Sequence, residues 1–158
     1  MVPSGLGQGA GALSLCVRPG ESAPPLSCRL VDGGRRPAWA DLRGEVVLLD
    51  FWATWSAPCL HRLPQLHALA ERFARARLRI LSISYESREE ILAHRARHGL
   101  RTQAAVDEDC ATFRAFGAWS VPVLVVVGTD GRVVAAGRPQ DLGPACLEAA
   151  LRGAWGRS

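Results

Sequence analysis

The chain has 158 residues, 48% hydrophobic and 22% charged, a balance that excludes a disordered or fibrous protein and predicts one globular domain with its own core. The formal charge of +4 does not point to nucleic acid: all 19 basic residues are Arg, and Arg72, Arg75, Arg77 and Arg79 are interrupted by apolar residues, as on a solvated face next to a buried one. No stretch reaches the ~20 apolar residues of a membrane span, and the first residues lack the basic start of a secretory signal, so neither a nucleic-acid partner nor a membrane span is expected.

Residues 1–23, rich in Gly, Ser, Ala and Pro, read as a flexible lead-in, with the folded domain at 24–158. A short strand over 27–31 ends at the turn Asp32-Gly33-Gly34. Val46 to Trp52 is an apolar run of strand length, as for a central parallel strand covered on both faces. From Pro58 the residues Leu60, Leu63, Leu66, Leu69, Ala70 and Phe73 recur at helical spacing, with a kink expected at Pro64. Residues 78–84 read as a second buried strand. A helix over 87–98 is capped by Ser87, with Glu90 three residues on, and stopped by Gly99. A third strand near 104–106, a short helix over 109–116, a hairpin of 121–127 with 133–136, and a last helix over 142–152 complete the chain. This alternation predicts an α/β fold with a mixed central sheet flanked by helices on both faces.

The five cysteines, at 16, 28, 59, 110 and 146, are odd in number and widely spaced, with neither a disulfide framework nor a zinc pattern. Cys28, Cys110 and Cys146 read as small buried hydrophobes. Cys59 differs, because it lies where the central strand passes into the first helix, the place at which open α/β sheets carry their chemistry. Free N–H groups and a partial positive charge at a helix start favour a thiolate on the first turn. Asp50 is the second singular residue, since a carboxylate inside an apolar strand needs a reason to be there.

The segment from Val47 through Asp50-Phe51-Trp52-Ala53-Thr54-Trp55-Ser56-Ala57-Pro58-Cys59 resembles the thioredoxin superfamily, whose motif is WCxxC with Pro common before the second Cys. Val121-Pro122 resembles its cis-proline loop, and Thr129 to Val134 the hairpin turn after that loop. The spacing of the three blocks is similar to that of TlpA- and ResA-like thiol-disulfide oxidoreductases. The resemblance implies a thioredoxin-like fold and a cofactor-free redox centre. It also implies protein thiols, disulfides or an extended peptide as partners, bound by Trp55, Pro58, Val121 and Pro122, and an extracytoplasmic location.

It further makes Asp50 or Glu86 a proton acceptor for the buried thiol, since a desolvated carboxylate can exchange protons near neutral pH. Glu86 has a second reading, as a solvated helix start. Ser56 stands where the resemblance places the nucleophilic Cys, and a hydroxyl neither ionises near neutral pH nor forms a disulfide. Three readings therefore stand: a slow monothiol at Cys59, a Cys-to-Ser form of an active oxidoreductase, or a binding module that keeps the fold without the chemistry. Arg62, at a position often Glu in this subgroup, and Val123, where Thr is usual, suggest an altered substrate-facing surface. Trp119 reads as a core residue beside the proline loop. A hydrolase built on Ser56, His61 or His67, and Asp50 lacks a GxSxG elbow, and His94 with His98 reads as a solvated helix face rather than a metal pair.

Overall fold

The computed structural model describes residues 14–155. Its elements run β1 (Arg29–Leu30), a 3-10 turn (Trp39–Leu42), β2 (Val46–Phe51), α1 (Ala57–His61), α2 (Leu63–Arg72), β3 (Leu78–Ser84), α3 (Arg88–His98), β4 (Gln103–Val106), α4 (Ala111–Phe116), β5 (Val123–Val127), β6 (Val133–Gly137) and α5 (Pro139–Trp155). They form one six-stranded sheet in the order β1-β4-β3-β2-β5-β6. Pairs β2/β3 and β3/β4 are parallel, while β1/β4, β2/β5 and β5/β6 are antiparallel, so the sheet is mixed as expected.

Strand β2 organises the molecule because all six of its residues are buried and their alternation feeds two cores. Val47, Leu49 and Phe51 pack with Phe113 and Phe116 on one face. Val46 and Leu48 face the other, against Leu66 and Leu69 of α2 and Leu147 and Leu151 of α5. Asp50 shares this second face by the same period of two, and parallel pairing brings Ser82 of β3 alongside it.

The helix expected from Pro58 is two helices. The break falls at Arg62, two residues before Pro64, because a proline removes the hydrogen bond to the carbonyl four residues back and its ring crowds that carbonyl. Helix α5 begins three residues earlier than expected and is interrupted at Gly143, whose φ of 59° and ψ of 158° are non-helical.

Part of the segment expected to lead in contacts the domain. Residues 1–13 of the expected lead-in lie outside the described residues, but residues 16–23 are pinned to the domain. Val17 is buried, Cys16 N–H donates to the Phe116 carbonyl, Gly20 N–H donates to the Val133 carbonyl, and Val133 N–H donates to the Glu21 carbonyl. The unpaired outer edge of β6 recruits this segment through main-chain groups, which need no side-chain pattern.

Candidate functional site

The site lies at the carboxyl end of β2. Two struts fix its loop. Thr54 donates from its N–H to Glu86 Oε1 at 2.7 Å and from its hydroxyl to Glu86 Oε2 at 2.6 Å, while Ser84 Oγ donates to Oε1 at 2.9 Å. Glu86 is therefore not a solvated helix start; it clamps the β2–α1 loop to the β3–α3 loop. The exposed indole of Trp55, 68% accessible, is held by its Nε1–H donating to Tyr85 Oη at 2.9 Å.

Ser56 is the N-cap of α1. Its hydroxyl oxygen accepts the Cys59 N–H at 3.4 Å, and its own proton is available to the Cys59 sulfur. Cys59 is 0% exposed. Burial pushes its thiol pKa above the ordinary value, opposed by the Ser56 hydroxyl, the Ala53 backbone and the Arg62 cation, while Asp50 adds to the rise. The thiol is thus enclosed under a serine and is a poor thiolate at neutral pH.

Arg62 turns most of its side chain inward, although it also lines the groove between Pro58 and Pro122. It is 3% exposed and pairs with Asp50 through two nitrogens, Nε to Oδ1 at 2.7 Å and Nη2 to Oδ2; its Nη1 donates to the Cys59 carbonyl. The guanidinium carbon lies 5.3 Å from the Trp52 ring centroid. Ser82 Oγ donates to the remaining side of Asp50 Oδ2 at 2.8 Å. Because that hydroxyl proton is spent on Asp50, Thr102 must be the donor in the 2.6 Å contact between Thr102 Oγ1 and Ser82 Oγ. Every hydrogen bond in the chain Arg62, Asp50, Ser82, Thr102 runs toward the carboxylate. Sequence reasoning missed this partner, although the inward spacing Cys59, Arg62, Leu66, Leu69 places Arg62 on the buried side of the helices.

The proline loop arrives as expected. Val121-Pro122 is cis, and Pro122 lines one open groove together with Pro58, His61, Arg62, Gln65, Pro139 and Gln140. Val121 is half-buried and packs against the cluster that holds Trp52 and Cys59. Trp119 is partly buried, its ring 5.7 Å from that of Phe113. Of the other thiols, Cys28 is buried, with its pKa pushed up to about 12 by desolvation and Asp107. Cys110 is half-buried, and Cys16 and Cys146 are exposed, so the reading of Cys110 and Cys146 as fully buried does not hold.

His94 corrects another expectation. It is 7% exposed, wedged between Trp52 at 4.8 Å and His98 at 4.6 Å between ring centroids, with both ring nitrogens unpartnered. No group of three or more metal-ligating side chains occurs among the described residues. Burial first, then His98 and Arg62, lower the His94 pKa; burial, Arg101 and Arg62 do the same at His67. The unfolded chain therefore binds protons that these residues resist in the fold, so stability is full above the unfolded histidine value of ~6.5 and falls as pH drops below it. Thermal unfolding between pH 7.5 and 5 checks this: His94→Phe, which keeps the ring stack, should lose less stability on acidification than the unaltered chain.

Fold and junction together define the class: this is a thioredoxin-like protein, with a mixed sheet flanked by helices and a motif at the strand-to-helix turn facing a cis-proline loop. More particularly, the chain belongs to the AhpC/TSA family, which matches it over residues 19–136. It is similar to the thiol-disulfide oxidoreductase ResA of Geobacillus thermodenitrificans, 26% identical over 118 residues that cover 74% of this chain and 67% of that protein. It is 24% identical to the ResA of Bacillus thuringiensis over 102 residues, 64% of this chain, and spans only 59% of that relative's length. In structure it is similar to a thiol-disulfide oxidoreductase from Bacteroides fragilis, with a TM-score of 0.73 at 21% identity over 84% of this chain and 98% of the other, a likeness of fold. No helix among the described residues is long and apolar enough to cross a membrane.

Proposed function

We propose that this domain, of thiol-disulfide oxidoreductase lineage, does not run a dithiol cycle and instead works as a binding module for an extended protein segment, with Cys59 kept as a slow monothiol. The observation that carries this reading is the burial of Cys59 beneath Ser56. A dithiol cycle needs an accessible thiolate to open the substrate disulfide and a second thiol to release the mixed disulfide. Here the position of the first thiol is a serine that is itself 4% exposed and serves as a helix cap, and the thiol that remains is covered, with its pKa raised by burial.

What survives is recognition geometry. The exposed Trp55 indole and the groove between Pro58 and Pro122 offer an apolar surface beside a loop whose backbone can pair with an extended chain. The partners are then protein thiols or disulfides presented in such a segment, or the segment itself. An extracytoplasmic setting belongs to the same proposal, on the lineage alone.

Residue-resolved adduct mapping tests the reading. After incubation with glutathione disulfide at pH 7 and peptide mass spectrometry, mixed disulfides should form first on exposed Cys16 and Cys146, with Cys59 modified last. Cys59 modified ahead of them would defeat it.

A further inference from the structure

We infer that Arg62 is a positioning residue for Cys59: by bridging Asp50 and the Cys59 carbonyl it holds a cation that offsets the acid's charge at the thiol. The inference rests on the reading of Cys59 as a slow monothiol and extends it to what controls that thiol.

Two independent features carry it. First, Arg62 occupies Asp50 through both carboxylate oxygens and reaches the Cys59 carbonyl with its third nitrogen, so one guanidinium ties the acid to the turn that bears the thiol. Second, the hydroxyl chain from Thr102 through Ser82 also donates toward Asp50. Arg62 and Ser82 together fill three of the roughly four acceptor positions of the Asp50 carboxylate, which commits its charge to the buried pair. Asp50 acts on Cys59 as a negative charge that disfavours the thiolate, and Arg62 as the positive charge that offsets it. The remaining charged neighbours act on Arg62 rather than on the thiol: His94 of α3 and His67 of α2 both feel its cation, and Glu86 faces His94.

The charge and the geometry of Arg62 can be separated. Iodoacetamide modification of Cys59, followed by peptide mass spectrometry from pH 6 to 10, gives the pH midpoint for the unaltered chain and each variant. Arg62→Lys, which keeps the cation, should stay with the unaltered chain. Arg62→Gln, which leaves Asp50 unopposed, should move the midpoint up by about one unit, a roughly tenfold slower reaction on the rising limb. Should Arg62→Gln fail to fold, as judged by circular dichroism, Asp50→Asn/Arg62→Gln replaces it without leaving a lone buried charge. A midpoint above that of Asp50→Asn alone then supports the inference, because only the Arg62 cation separates those two variants. An Arg62→Gln profile that overlays the unaltered one, an Arg62→Lys profile displaced as far as Arg62→Gln, or a double-variant midpoint at or below that of Asp50→Asn alone overturns it. The glutathione adduct order of the unaltered chain does not depend on these variants, so failure of the monothiol reading and failure of the Arg62 assignment are read separately.

Discussion

Ser56→Cys is expected to give disulfide-reducing turnover that the unaltered chain lacks and to raise the thiolate available at the motif at pH 7 by roughly fiftyfold. The figure follows from ionisation: a thiol at a helix start in this motif has a pKa near 7 and is about half thiolate, whereas a thiol at or above 9 is about 1% thiolate. Cys59 belongs to the second group, since burial pushes its thiol up from the ordinary cysteine value. The new thiol would stand at the helix cap, with Cys59 three residues on to resolve the mixed disulfide. The gain has a ceiling, because the Asp50 carboxylate is committed to Arg62 and Ser82 rather than free beside Cys59 for the resolving step. Adding Arg62→Gln to Ser56→Cys should therefore alter the pH dependence of turnover as well as its rate. An insulin-reduction assay driven by dithiothreitol measures both; a Ser56→Cys variant no faster than the unaltered chain would show that more than the missing sulfur separates this site from a dithiol enzyme.

Arg62→Ala is expected to cost about 3–5 kcal/mol, the range for removing one member of a buried ion pair. The side chains of Arg62 and Asp50 are 1% and 0% exposed, so the carboxylate would be left in the core with Ser82 as its remaining donor. A domain stable by about 5–15 kcal/mol loses a large share of its margin to such a change. The loss is asymmetric: Asp50→Leu/Arg62→Met, which removes both charges and fills the space, should recover most of it, since well-packed apolar replacements of a buried pair are often neutral. Urea unfolding of the two variants checks this. An Arg62→Ala loss under about 1 kcal/mol, the size of an exposed pair, would contradict the placement of Arg62 in the core.

The sheet was legible because its signals are hydrophobic. Val46 to Phe51 and Val123 to Val127 are uniformly buried strands and read as such from composition alone. Ser87 with Glu90, and Gly99 with φ of 74°, marked both ends of α3 by their backbone chemistry. The motif and proline loop were legible by resemblance, and the cis bond at Val121-Pro122 agrees with it.

What was not legible is polar and long-range. Arg62 looked like a surface residue because arginine usually is one, and only its pairing with Asp50 across the β2–helix layer gives it a reason to be inside. Glu86 could not be placed without knowing that Thr54, 32 residues earlier, turns both of its donors toward it. His94 read as solvated from its arginine neighbours on the helix, yet one face of α3 packs on Trp52 and carries that histidine with it. The edge pairing of residues 20–23 with β6 is made by backbone groups, on which the sequence is silent.

The most direct test of the central claim is insulin reduction by the unaltered chain with dithiothreitol at pH 7. The account predicts a rate no faster than dithiothreitol alone, with no disulfide involving Cys59 in the recovered protein. Turnover by the unaltered chain matching that of Ser56→Cys would contradict it.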